Sequence, residues 1–124
     1  MDEKRIEHAP ALTITNSVLI PSLIADEGEA ASRRFIEFFT ANIRNRGTRE
    51  GYARAVGRFC HWCERHGIGL EDVEAIVVAT YVEALSLELS RPTVKLHLAA
   101  IRMLFDYLVT GHVIAVNPAA SVRG

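Results

Sequence analysis

Residues 48–66, TREGYARAVGRFCHWCERH, decide the fold class. At about 100° per residue, Arg54, Arg58, His61 and Arg65 fall within about 60° of one another, and Tyr52, Val56, Phe59 and Cys63 lie behind them. One basic face and one apolar face define an amphipathic helix. A second stretch, residues 91–110, repeats the arrangement. There Arg91, Lys95 and Arg102 fall within about 40°, while Ala100, Leu104, Tyr107 and Leu108 face away. Two basic helical faces on one small domain are the footprint expected of a nucleic-acid binder.

The chain has 124 residues, enough for one domain with a real core and too few for two ordinary ones. Its 49% hydrophobic and 23% charged residues match a globular protein, and no apolar run is long enough to span a bilayer. Residues 11–24 are interrupted by Thr, Asn, Ser and Pro and follow the acidic Asp2 and Glu3, which is unlike a secretory signal. The formal charge of −1 conceals a partition. Residues 44–66 carry six arginines against two glutamates, and residues 91–124 carry four cations against one aspartate. Residues 71–88 carry five acidic side chains and no basic one, and residues 1–30 carry six acidic against two basic. The distribution matters more than the sum for a polyanionic partner.

Residues 1–28 contain Pro10, Pro21 and a turn-like Asp26-Glu27-Gly28 but no helical period, so they read as a flexible leader, with a short strand-like piece at residues 18–20. From residue 29, Phe35, Ile36, Phe39 and Ile43 recur as one buried face, predicting a helix to about residue 45. Gly47 supplies its stop, and Thr48 an N-cap for the helix over residues 48–66, with Glu50 favourably placed by the helix dipole. His66-Gly67 ends that helix. A third helix over residues 72–87 is apolar nearly all round, through Val73, Ile76, Val77, Tyr81, Val82 and Leu85, and is expected to be the most enclosed. The fourth is capped by Ser90 or Arg91, carries Pro92 in its first turn, and ends at Gly111 ahead of Asn117-Pro118. The expected fold is all-α.

The run Thr48-x3-Tyr52-x6-Phe59-x2-Trp62-x4-Gly67, then Thr93-x7-Ile101-Arg102-x2-Phe105-x1-Tyr107-Leu108 and Asn117-Pro118, resembles the core-binding domain of tyrosine recombinases, the phage-integrase family. The resemblance covers residues 29–122 and implies a four-helix, SAM-like orthogonal bundle that forms one jaw of a clamp around double-stranded DNA. It implies a catalytic domain elsewhere, with residues 123–124 at the start of the linker towards it. No catalytic residue is expected here, since Tyr52, Tyr81 and Tyr107 all fall in core-forming helices. By the same resemblance other recombinase subunits are expected as partners, in a tetramer on DNA, with no membrane and no small-molecule substrate. Matching the helices to the family points the second and fourth towards the major groove. Arg49, Arg54, Arg58, Arg91, Lys95 and Arg102 are the contact candidates, with Thr48, Thr93 and His61 as polar ones, and Arg65 completes the stripe. Arg44 and Arg46, in the preceding turn, reach for a backbone phosphate. An arginine at position 102 has an alternative role in the family's pattern, bracing the bundle.

Gly51 and Gly57 flank the first stripe and leave room for close phosphate approach, while arginine suits forked phosphate contacts and guanine edges. The bland alternative is ordinary solvation of amphipathic helices. Cys60-His61-Trp62-Cys63 with His66 offers three metal donors on one side, but a structural zinc site takes four, usually from separated segments, so neither a metal nor another cofactor is expected. Cys60 and Cys63 instead read as reduced core thiols of a cytoplasmic protein. Trp62 and Tyr52 read as core residues rather than base-stacking platforms. His97 reads as a satisfied interior or boundary residue. Two other functions remain open. One is a helical interaction module that self-associates through acidic and basic faces. The other, a stand-alone helix-turn-helix regulator, fits poorly, because the turn at Gly67-Ile68-Gly69-Leu70 leads into an acidic, apolar helix.

Overall fold

The computed structural model describes residues 20–124. In chain order it contains α1 (Ser22–Ala25), α2 (Glu29–Glu37), a π-helical turn (Phe38–Asn42), α3 (Arg46–Arg65), a 3-10 turn (Leu70–Asp72), α4 (Ala75–Ser86) and α5 (Arg91–Thr110). No strand occurs among these residues, in agreement with the all-α expectation. None of the described helices is long and apolar enough to cross a membrane.

The core is organised around α3 and α5. Phe59 meets Phe105 edge to face at 6.0 Å, and Tyr81 of α4 packs against Phe59 at 5.0 Å and Trp62 at 5.2 Å. Tyr52 and Trp62 pack against the core as expected. Cys60 and Cys63 are free thiols within it, and burial pushes both up, Cys63 to about 12, with Glu64 adding to the effect. They act as small apolar side chains.

Part of the expected leader belongs to this core. Ile20, Leu23 and Ile24 are buried, α1 packs on α2 and α3, and the Leu23 backbone N–H donates to Glu64 Oε2 at 2.9 Å. A one-turn helix has too few residues to display a period, which is why residues 20–28 read as leader. Residues 18 and 19 of the strand-like piece lie outside the described residues. Gly28 links α1 to α2 at a φ of 111°, a conformation open to glycine and strained for other residues.

The helix expected over residues 29–45 stops earlier. Its last turn widens to a π turn closed by the Ile43 N–H on the Phe38 carbonyl. That extra residue lets Phe38, Phe39 and Ile43 all turn inward, whereas regular helical spacing left Phe38 off the buried face. Neither Gly47 nor Thr48 marks the next boundary. Asn45 is the N-cap of α3, its side-chain oxygen accepting from the Thr48 N–H at 3.0 Å, so Gly47 and Thr48 lie inside the first turn. At the other end, the Gly67 N–H bonds the Glu64 carbonyl and the Ile68 N–H bonds the Cys63 carbonyl, with Gly67 at φ 68°.

The chain approaches α4 through the 3-10 turn rather than a helix starting at residue 72, and α4 is not the most enclosed element. It leaves Ile76 69% exposed, and Leu87 just beyond it is 85% exposed, whereas α5 buries seven side chains. α5 has the expected bounds, with Pro92 in its first turn. Its end differs in detail. Gly111 has an ordinary φ of −90°, and the left-handed position is His112 at φ 63°, with Val113 N–H on the Leu108 carbonyl. Gly111 answers a different need: a Cβ there would stand 2.3 Å from Arg34 Nε. Arg34 fills that space, donating to the Tyr107 carbonyl and to Thr110 Oγ1, both at 2.8 Å, with its guanidinium 3.5 Å from the Tyr107 ring centre.

Candidate nucleic-acid interface

Because α3 buries Val56, Phe59, Cys60 and Cys63, helical geometry turns Arg54, Arg58, His61 and Arg65 to the outside, and all four are exposed. They form a continuous basic ridge along the helix. Arg54 and Arg65 form no ion pair with another described residue; Arg58 pairs with Glu88, which follows α4. Along the ridge a Cβ at Gly57 would meet nothing within 4 Å, and one at Gly51 would meet only Arg54 Nη2, at 3.9 Å.

Below the ridge, two buried polar atoms have no hydrogen-bond partner among the described residues, Tyr81 Oη and His97 Nδ1. Burial pushes the Tyr81 phenol up to about 12, a rise that the positive charge of Arg58 opposes. Burial lowers the His97 pKa, and Arg58 and Arg54 lower it further, so the imidazole is neutral at neutral pH. His97 is therefore a boundary residue but not a satisfied one. Between α3 and α4 opens a cleft of about 370 Å³, lined by Arg58, His61, Trp62, Arg65, Tyr81 and Glu88 among others.

The remaining candidates are dispersed. Arg44, Arg46 and Thr48 are exposed in the turn and at the start of α3, with Arg46 3.7 Å from Glu50. Arg49 is half-buried and donates to the Ile43 carbonyl at 3.1 and 3.3 Å, holding the chain where it enters α3. Arg91 and Lys95 are exposed on α5. Arg91 lines a separate cleft with Ser86, Leu89, Val94 and Gly124, none of them from α3. Thr93 is half-buried, its hydroxyl 3.0 Å from Ser90 Oγ.

Arg102 is bound into the fold. Its guanidinium donates to the carbonyls of Ala119 and Val122, while Asn117 Nδ2 donates to the Arg102 carbonyl and to Asp106 Oδ1. It straps the segment after α5 onto the bundle, the bracing role left open by the sequence. Ala119 and Val122 are buried. Sequence reasoning also missed Glu88, because it lies 30 positions from Arg58 and no helical spacing links them.

Among the described residues no group of three or more His, Cys, Asp or Glu side chains is placed to hold a metal. The chemistry on offer at the ridge is anion recognition by forked, permanently charged donors. Comparison with known families matches residues 33–112, from within α2 to just beyond α5, to the phage integrase N-terminal SAM-like domain. No curated protein and no solved structure matched the chain.

Proposed function

The chain belongs to the family of phage integrase N-terminal SAM-like domains, and on that premise we propose that it binds duplex DNA as the core-binding domain of a site-specific tyrosine recombinase. One observation carries the reading: Arg54, Arg58, His61 and Arg65 stand exposed in a row beside the open backbone of Gly57. Arg91 and Lys95 supply a second, separate set of phosphate contacts, and Arg44 and Arg46 a third at the entry to α3. Affinity comes mainly from phosphate neutralisation, with strand cleavage performed by another domain and other recombinase subunits as partners in the cytoplasm.

The three ridge arginines, Arg54, Arg58 and Arg65, alone give a log–log salt slope of about −2.7, at about −0.9 per neutralised phosphate. Arg54→Glu combined with Arg65→Glu tests the ridge directly, since neither side chain forms a hydrogen bond or ion pair with another described residue. Fluorescence anisotropy with a labelled mixed-sequence duplex is expected to register at least a tenfold loss of affinity at low salt, with unchanged melting. Unaltered affinity in a folded double variant removes α3 from the interface.

The exposed Ile76 and Leu87 favour a second reading, self-association through the α4 side. It predicts sedimentation that changes with protein concentration in the absence of DNA, and no response to the charge reversals on α3.

A further inference from the structure

We infer that the cleft between α3 and α4 is a seat for one phosphodiester group, held by Arg58, Arg65, His61 and the hydroxyl of Tyr81, and guarded in the free protein by Glu88. The inference rests on the reading of α3 as a DNA-facing ridge and adds to it a specific pocket, a donor and a gate.

Tyr81 is 2% exposed and forms part of the cleft wall, yet among the described residues its hydroxyl has no partner. Buried polar groups are overwhelmingly paired, so this hydroxyl, itself buried behind the cleft lining, is a donor without its acceptor that would reach a ligand once the exposed Arg58 and Glu88 side chains move aside. Two of the charged groups acting on that phenol are Arg58 and Glu88. Glu88 bonds Arg58 and leaves Tyr81 unbonded, so an anionic oxygen already sits on the arginine while the second donor stays unused. Among the described residues, the other buried polar side-chain atom without a partner, His97 Nδ1, also feels Arg58.

A phosphate fits this donor set better than the resident carboxylate does. Guanidinium forks match its oxygens, its tetrahedral shape presents a further oxygen to the phenol, and a volume of about 370 Å³ lies in the range of small-ligand sites. As the phosphate docks, Glu88 is repelled and swings out to solvent, and its side chain is already 64% exposed. No bond is made or broken beyond these hydrogen bonds.

Trp62 is the single tryptophan of the chain and lines the cleft, so its fluorescence reports occupancy. The full chain is titrated with inorganic phosphate and, separately, with a labelled mixed-sequence duplex, in the parent, Tyr81→Phe and Glu88→Gln forms. Tyr81→Phe is expected to weaken duplex binding about tenfold, the scale of a hydrogen bond to a charged group, without lowering the melting temperature, because the lost hydroxyl is unpaired. Glu88→Gln is expected to tighten duplex binding several-fold by removing the internal competitor. Both ligands should alter Trp62 emission.

Duplex binding of unchanged affinity in both variants overturns the seat while leaving the ridge reading intact. Phosphate that perturbs Trp62 in a Tyr81-dependent way, with no duplex binding, supports the seat as a site for free phosphate and defeats the DNA reading. If neither ligand perturbs Trp62, the seat is overturned.

Discussion

Substituting Gly111 by alanine should destabilise the domain only because of Arg34, and a double-mutant cycle can isolate that cause. Gly111 has φ −90° and ψ 6°, which alanine adopts without strain, so the backbone gives no reason for glycine. The obstacle is steric: the new Cβ would lie 2.3 Å from Arg34 Nε and 2.6 Å from its Cδ, in the middle of the side chain rather than at its tip. Arg34 must leave, and with it go two hydrogen bonds of 2.8 Å and the stack on Tyr107. At about 1 kcal/mol per hydrogen bond and about 0.5–1 kcal/mol for the cation–π contact, the loss is about 2–3 kcal/mol. Alanine offsets about 0.4–1 kcal/mol of this by restricting the unfolded chain. The net cost of about 1–2 kcal/mol corresponds to a melting-temperature drop of at least about 4 °C in a domain of this size. In an Arg34→Ala background the obstacle is gone, and Gly111→Ala should become neutral or stabilising by up to about 1 kcal/mol. Urea unfolding of the four proteins measures the coupling. An equal effect of Gly111→Ala in both backgrounds would refute the reasoning.

Gly57→Ala should raise stability by about 1 kcal/mol, since the helix interior gains a better former and the new methyl meets nothing within 4 Å. The same methyl stands in the path of a phosphate, so duplex affinity should fall as melting rises; a melting temperature that drops contradicts the geometry of α3. His112→Gly should stabilise by about 1 kcal/mol by relieving the left-handed φ of 63° at the end of α5, read as a higher urea midpoint, and a lower midpoint counts against that cap. His97 has a folded-state pKa depressed first by burial and then by Arg58 and Arg54. The unfolded chain therefore binds the proton more readily, and this contribution to stability is complete above pH 6.5, the ordinary value, and is lost as pH falls towards the depressed one. His97→Gln should flatten the fall in melting temperature on acidification, and an unchanged pH slope would contradict the assignment.

What could be read from sequence follows physical scale. α3 and α5 each run 20 residues, long enough for a period to establish which face is buried, and their apolar rows are in the core as expected. Boundaries depended on single side chains. Asn45 and Thr48 both suit an N-cap, and the choice was made by the oxygen of Asn45 reaching the Thr48 N–H. The π turn was illegible because one inserted residue cancels the spacing that would reveal Phe38. The contact set divided by the same logic. The α3 ridge follows from helix geometry, while Arg102 and Arg58 took partners 20 and 30 residues away, which periodicity within one helix cannot reveal. α4 looked enclosed because its residues are apolar; composition says what a helix tolerates, and the bundle decides what it covers.

The proposed role stands or falls on whether α3 faces duplex DNA. An NMR titration of the labelled chain with a short mixed-sequence duplex, at low and at moderate salt, tests it most directly. Salt-sensitive shifts are expected to concentrate on Arg54, Gly57, Arg58, His61 and Arg65, with weaker ones at Arg91 and Lys95. Shifts confined to the acidic segment around Glu71, Asp72 and Glu74, or a spectrum unmoved at millimolar duplex, would contradict it.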